Sequence, residues 1–212
     1  MDPLLVTILL GFGLGLRHAT DPDHVVAVAT IVSRERSLRG AGVVGALWGL
    51  GHSLTIFLLG GALVVLKVAI APRVGLALEF CVALMLVLLG VLNLRHGHTH
   101  DAGGTPHHAA RPVAVGVVHG LAGTGAVAVA VVPLIPSAAW ALVYLALFGL
   151  GTVAGMALCT AVIALPARLA AHRVRHVNGW LRTASGVASI AFGLFLAHRI
   201  GIVEGLFVGA PR

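Results

Sequence analysis

The stretch "GLGLRHATDPDHVVAV", residues 13–28, sets Arg17, His18, Asp21, Asp23 and His24 within eight positions of an otherwise apolar segment. The thirteen largely apolar residues before the motif, Leu4 to Leu16, cover only about 20 Å as a helix, whereas a hydrocarbon layer is about 30 Å thick. If the segment spans a membrane, the polar motif therefore lies within the bilayer. The composition says that it spans. The 212 residues are 58% hydrophobic and 10% charged, with a mean hydropathy of +1.02, whereas soluble domains carry about a quarter charged residues.

The fold expected is an all-α polytopic membrane protein, a single transmembrane domain over 1–212. Six spans are predicted, at about 4–32, 41–66, 74–95, 113–135, 138–165 and 179–200. Short charged or proline-containing breaks separate them: "SRERSLRG", "KVAIAPR", a polar loop over about 96–112, "IPS" and "PARLAAHRVRHVN". The opening "MDPLLVTILLGFGLG" has no basic n-region and reads as a retained span rather than a leader. Cys81 and Cys159 lie inside apolar runs and make no disulfide framework. The net charge of +7 fits cytoplasmic loops facing anionic lipid, not nucleic acid. One orientation gathers Arg34, Arg36, Arg39, Arg95, Arg111, Arg168, Arg173 and Arg175 on one side, so the positive-inside rule puts both termini outside the cytoplasmic membrane.

The halves resemble each other. "LRHATDPDHVVAVAT" lies over "VVHGLAGTGAVAVAV" with His18 opposite His119, and "WGLGHSL" lies over "FGLGTVA" with His52 opposite Thr152. Repeats of about 1–97 and 113–212, each of three spans, must be inverted in the bilayer. Inverted repeats are frequent in secondary transporters, whose sites sit near the midplane between them.

Charged groups at the centre of a spanning helix cost about 2.5–3.5 kcal/mol each, so Arg17, Asp21 and Asp23 together oppose insertion by roughly 8–10 kcal/mol. Arg17 and Asp21, four apart, can pair along a helix, which leaves one carboxylate over. In an unbroken helix His18, Asp21 and His24 share one stripe about a third of the circumference wide. Two imidazoles and a carboxylate there make a ligand set for a divalent transition metal. Asp23 points the other way and joins only if the helix breaks. Pro22 gives a reason for a break: it has no N–H for the His18 carbonyl and disfavours helical geometry at Asp21. Freed carbonyls in broken membrane helices are recurrent ion ligands. His52 lies mid-span at a depth close to His18, among Gly45, Gly49 and Gly51, which allow close helix approach. His119 is the weaker candidate, because its own half brings no carboxylate beside it. A packing role, with the charged pair buried and the histidines as hydrogen-bonding glue, is the alternative for these residues.

"RHATDPDH" closely resembles the RHAxDADH signature of the nickel/cobalt transporter (NiCoT) family of secondary permeases, and "GLGHS" is similar to that family's second motif. Pro22 stands where the family usually has Ala. The six predicted spans, where longer members have eight, are similar to the short branch described as urease-accessory membrane proteins. The resemblance implies movement of Ni²⁺ or Co²⁺ across the cytoplasmic membrane without ATP, with His18, Asp21, Asp23, His24 and His52 in metal recognition. The metal is cargo, and no cofactor is expected. A metallochaperone or urease or hydrogenase maturation proteins are the partners implied.

No G-x-x-x-x-G-K-[ST] precedes Lys67, the lone lysine, so a phosphate-binding loop is absent from the sequence. A membrane potential supplies about 2.3 kcal/mol per charge per 100 mV, roughly 4.6 for a dication and enough for about thousandfold inward accumulation. Uptake driven by the potential is the expected function. Efflux, or a non-transporting metal-binding accessory role, are the alternatives. An intramembrane enzyme is disfavoured, since the sequence has no H-E-x-x-H helix. The loop "RHGHTHDAGGTPHH" carries His96, His98, His100, Asp101, His107 and His108, a tract that either hands metal on or serves as a solvated linker. His172 and His176, among three arginines, read as a basic interfacial segment.

Overall fold

The structure is a computed structural model, and it describes residues 3–33, 35, 37–68, 70–95, 107–121, 135, 137–171 and 177–208. All regular structure in them is helical. The elements are α1 (Pro3–His18), α2 (Pro22–Val32), α3 (Leu38–Leu66), α4 (Pro72–Arg95), α5 (His107–Leu121), α6 (Ala138–Ala171) and α7 (Val177–His198), the last running on into one wider π-type turn, Arg199–Val203.

The first predicted span is two helices. α1 stops at His18, and Asp21 takes an extended backbone (φ −61°, ψ 142°) so that Pro22 can open α2. This is the conformation proline imposes on its predecessor, and a first-turn position is where a missing N–H costs nothing. The turn closes tightly, with the N–H of Thr20 donating to the Arg17 carbonyl at 2.9 Å and the N–H of Asp21 to the His18 carbonyl at 3.1 Å. The His18 carbonyl is thus satisfied by its own chain and is not freed as an ion ligand. The break also undoes the continuous stripe expected for His18, Asp21 and His24, because two helix axes now carry them.

Among the described residues, four helices are long and apolar enough to cross a bilayer: Leu38–Leu66, Pro72–Arg95, Ala138–Leu165 and Gly179–Val203. Of the remaining two predicted spans, the first is the broken α1–α2 pair; the other, about 113–135, overlaps α5 as far as Leu121, and 122–134 lie outside the described residues. α5 starts at His107, inside the segment expected as loop, and ends at Leu121. The rest of that loop, 96–106, and the His172–His176 segment lie outside the described residues.

The bundle sets polar side chains into an apolar interior and keeps its outer faces apolar. His24, His52, His119, Thr152, Thr160 and Ser189 are fully buried, while Leu50, Leu54 and Leu58 along α3, and Leu150 and Leu158 on α6, face outward. A protein in water would lose apolar burial by this arrangement. In lipid it costs nothing, and buried polar groups find partners within the protein. Thr160, for example, donates to the Met156 carbonyl, and Ser189 donates to the Leu86 carbonyl across the α4–α7 contact at 2.7 Å.

α3 packs along α6 at the centre, α1 packs on α6, α5 packs on α3, and α4 pairs with α7. The contacts come in matched sets. A Cβ on Gly15 would lie 2.1 Å from the Phe148 carbonyl oxygen, and one on Gly116 would lie 2.1 Å from the Trp48 carbonyl oxygen. One on Gly51 would meet the Val113 carbonyl oxygen at 2.4 Å, and one on Gly151 the Phe12 carbonyl oxygen at 2.2 Å. On the α4–α7 pair, Gly90 faces the Gly186 carbonyl oxygen and Gly193 faces that of Ala83. Only glycine fits such backbone contact.

Candidate metal site

Four helix segments converge where α1 ends, α2 begins and α5 ends, against the middle of α3. They bring His18, Asp21, Asp23, His24, His52 and His119 into one cluster. His24 is its hub, with ring centroids 4.6, 4.9 and 4.4 Å from those of His18, His52 and His119. All four imidazoles are buried, as is Asp23, whereas the Asp21 side chain keeps 41% of its exposure at the edge.

The carboxylates fix the rings. Ionised carboxylates only accept, so each imidazole nitrogen beside one carries the proton. His18 donates from Nδ1 to Asp21 Oδ2 at 2.7 Å. His24 donates from Nδ1 to Asp23 Oδ1 at 3.1 Å, and His119 donates from Nε2 to Asp23 Oδ2 at 2.8 Å. Asp23 thus ties α2 to α5 across 96 positions of sequence. It reaches this place because the axis changes at Pro22. The partner of Asp21 is His18, in place of the expected pairing with Arg17, whose side chain is exposed.

His18 carries its proton on Nδ1, so His18 Nε2 accepts from His52 Nε2, which stands 3.0 Å away. Among the described residues, His24 Nε2, His52 Nδ1 and His119 Nδ1 are buried without a hydrogen-bond partner. Leaving a buried polar atom unpaired costs about 1–3 kcal/mol, so three in one cluster need a reason. One ligand atom each from His18, His24 and His52 lie within 4.8 Å of one another, as do those of Asp23, His24 and His119. Two imidazole nitrogens at right angles around an ion about 2.1 Å away would be about 3.0 Å apart, the His18–His52 spacing. An imidazole whose other nitrogen donates to a carboxylate is also the usual arrangement behind a metal ligand. By this chemistry the cluster suits a borderline transition cation better than magnesium or calcium.

Two residues passed over in the sequence wall the cluster. Phe148 lies over His18 at 5.3 Å between ring centroids, and Trp48 lies 5.5 Å from both His24 and His119. A signal for them exists: they are the first residues of the matched segments "WGLGHSL" and "FGLGTVA". Thr152, opposite His52 in that matching, is buried and donates to the Phe148 carbonyl at 2.9 Å.

A bundle with lipid-compatible faces and a buried histidine–carboxylate centre at a broken helix defines an integral membrane protein built around a polar intramembrane site. The NicO profile, described as high-affinity nickel-transport protein, matches residues 4–95. The chain is 34% identical over 219 residues to the urease accessory protein UreH of Bacillus sp. (strain TB-90), with 96% of each chain covered. A high-affinity nickel transport protein of Cupriavidus necator is 35% identical over 71 residues, which cover 33% of this chain and 20% of that one. The chloroplast protein FOR GROWTH AND FERTILITY 1 of Arabidopsis thaliana is 27% identical over 97% of this chain and 60% of its own length. No solved structure matches. The chain belongs to the NicO family of high-affinity nickel-transport proteins. It is a membrane protein of a nickel-transport family and not an enzyme.

Proposed function

We propose that this protein is a secondary permease that takes up Ni²⁺, and Co²⁺ as a second substrate, through the histidine cluster. The observation that carries this reading is the unpartnered Nε2 of buried His24 beside the facing Nε2 atoms of His18 and His52. In this reading those three nitrogens are ligands, while Asp21 and Asp23 hold the rings and lower the cost of a dication in a low-dielectric interior. His119 is held by the same Asp23 carboxylate.

Six crossings follow if the α1–α2 pair counts as one and α5 is completed by the residues after Leu121. The two halves, about 1–97 and 113–212, then form an inverted repeat, which the matched glycine contacts support: Gly15 on Phe148 answers Gly116 on Trp48, with His18 answering His119. The cluster lies where the halves meet, and their rocking would expose it alternately. Both termini lie outside, so an inside-negative potential drives the dication inward. Imported metal then meets the histidine-rich loop on the cytoplasmic side, where a metallochaperone or urease maturation protein can receive it.

The test is cell-associated nickel in cells expressing the protein against cells expressing His24→Ala. The reading expects a rise that the variant abolishes. A fall on expression of the wild type would indicate efflux through the same site, and equal accumulation in both would refute the site.

A further inference from the structure

We propose that the cluster holds two alternative positions for the metal, one on each side of the His24 ring, and that His24 hands the ion between them. The proposal rests on the reading of the cluster as a cation site and adds a second place within it. The first position is bounded by His18, His52 and His24, and the second by Asp23, His24 and His119. His24 is common to both, and the hydrogen bonds say which nitrogen serves which side. Nδ1 faces Asp23, so it belongs to the second position; Nε2, the nitrogen without a partner, is left for the first.

The two positions share a plan but not a ligand set. His18 and His119 occupy matched places in the halves, each with one ring nitrogen on a carboxylate. Each lies against an aromatic ring from the matched places of α3 and α6: Phe148 over His18 at 5.3 Å, and Trp48 beside His119 at 5.5 Å. α3 and α6 run antiparallel, as Gly49 against Val153 and Gly149 against Ser53 require, so Trp48 and Phe148 stand on opposite sides of the cluster along the helix axes. An ion in the first position thus lies on the Phe148 side and one in the second on the Trp48 side.

Only one position is filled at a time. A neutral imidazole carries one proton, and either ring nitrogen can hold it. With the ion on Nε2, the proton stays on Nδ1 and is donated as a hydrogen bond to Asp23. With the ion on Nδ1, the proton sits on Nε2, and an Asp23 oxygen is released to the metal. His119 makes the same exchange, its Nδ1 taking the proton while Nε2 turns to the ion, and that Nδ1 has no other partner among the described residues. The two positions differ in hardness, three imidazoles against two imidazoles and a carboxylate. Their exchange moves the cargo by the width of one ring without setting it free in the bilayer.

The experiment is titration of Co²⁺ into the purified full-length protein in detergent, read by visible absorption and by bound metal per chain. His52→Ala, His119→Ala, the double variant and His24→Ala are compared with wild type, and helical content before metal addition confirms that each is folded. The expected pattern is a single ion in the wild type, in His52→Ala and in His119→Ala. The two single variants should give different spectra, since they retain different positions. The double variant and His24→Ala should bind none. Loss of binding in either single variant overturns the two-position proposal, as does a double variant that still binds or a wild type that holds two ions together. The underlying site reading fails separately, if the wild type binds no Co²⁺ and carries no metal.

Discussion

The two aspartates beside the histidines offer the sharpest contrast, because the same Asp→Asn change acts differently at each. Asp21 is a half-exposed carboxylate accepting one bond, from His18 at 2.7 Å. An asparagine side chain keeps an oxygen of the same shape there, and its amide can turn outward, so Asp21→Asn loses a partly screened charge. Asp23 is buried and accepts from two rings at once, at 3.1 and 2.8 Å. In Asp23→Asn the new side chain has one oxygen for the pair, so its NH₂ either faces one N–H, His24 Nδ1 or His119 Nε2, or forces that ring to move its proton to its other, unpartnered nitrogen. A buried donor facing a donor costs about 1–3 kcal/mol, and the lost charge adds to it. At about 1.4 kcal/mol per decade, Asp23→Asn should weaken metal binding about 10–100-fold, in line with removal of a group that orients a ligand. Asp21→Asn should weaken it about tenfold or less. Calorimetric titration of Ni²⁺ into both purified variants measures this, with helical content checked beforehand. Equal losses, or a larger loss in Asp21→Asn, would refute the assignment of Asp23 as the carboxylate shared by two rings.

Four further outcomes are expected. Gly116→Val places its Cβ 2.1 Å from the Trp48 carbonyl oxygen, so α5 must move off α3; overpacking of about 1–3 kcal/mol should lower the thermal unfolding midpoint and reduce transport, whereas Gly13→Val, with nothing near, should leave both unchanged. Each histidine must be unprotonated to bind metal, so nickel affinity should fall steadily as pH is lowered and recover on return, measured by titration at a series of pH values; affinity that does not depend on pH would exclude imidazole ligands. Halving an imposed potential of about 100 mV should lower the limiting accumulation in vesicles to about its square root, from about two thousandfold to about fiftyfold, read as internal nickel at steady state. Trp48→Ala opens one wall of the cluster and should raise the nickel dissociation rate in stopped-flow chelator displacement, while Trp180→Ala, on the outer surface, should not.

The membrane class and the break at Pro22 were legible because both follow from local chemistry, hydropathy in one case and a missing N–H in the other. The consequences of the break were not. A stripe through His18, Asp21 and His24 requires a continuous helix, and the structure divides these residues between α1, the turn and α2. Asp23, which an unbroken helix turns away, instead reaches His119. By sequence His119 is a weak candidate, since its own half supplies no carboxylate; the one it uses comes from the other half, and nothing local to residue 119 announces that. The matching of the halves held the missing signal. It aligned His18 with His119 and put Trp48 and Phe148 at the head of the paired segments, but a sequence comparison alone does not say that these residues meet. The packing of α3 on α6 does.

The central claim is that the buried imidazoles of this one chain carry the metal across. Its most direct test is Ni²⁺ entry into liposomes containing only this protein, under an imposed inside-negative potential, for wild type and His24→Ala. The account predicts accumulation in the first and the rate of protein-free liposomes in the second. No accumulation with the wild type, or equal accumulation with His24→Ala, would contradict it.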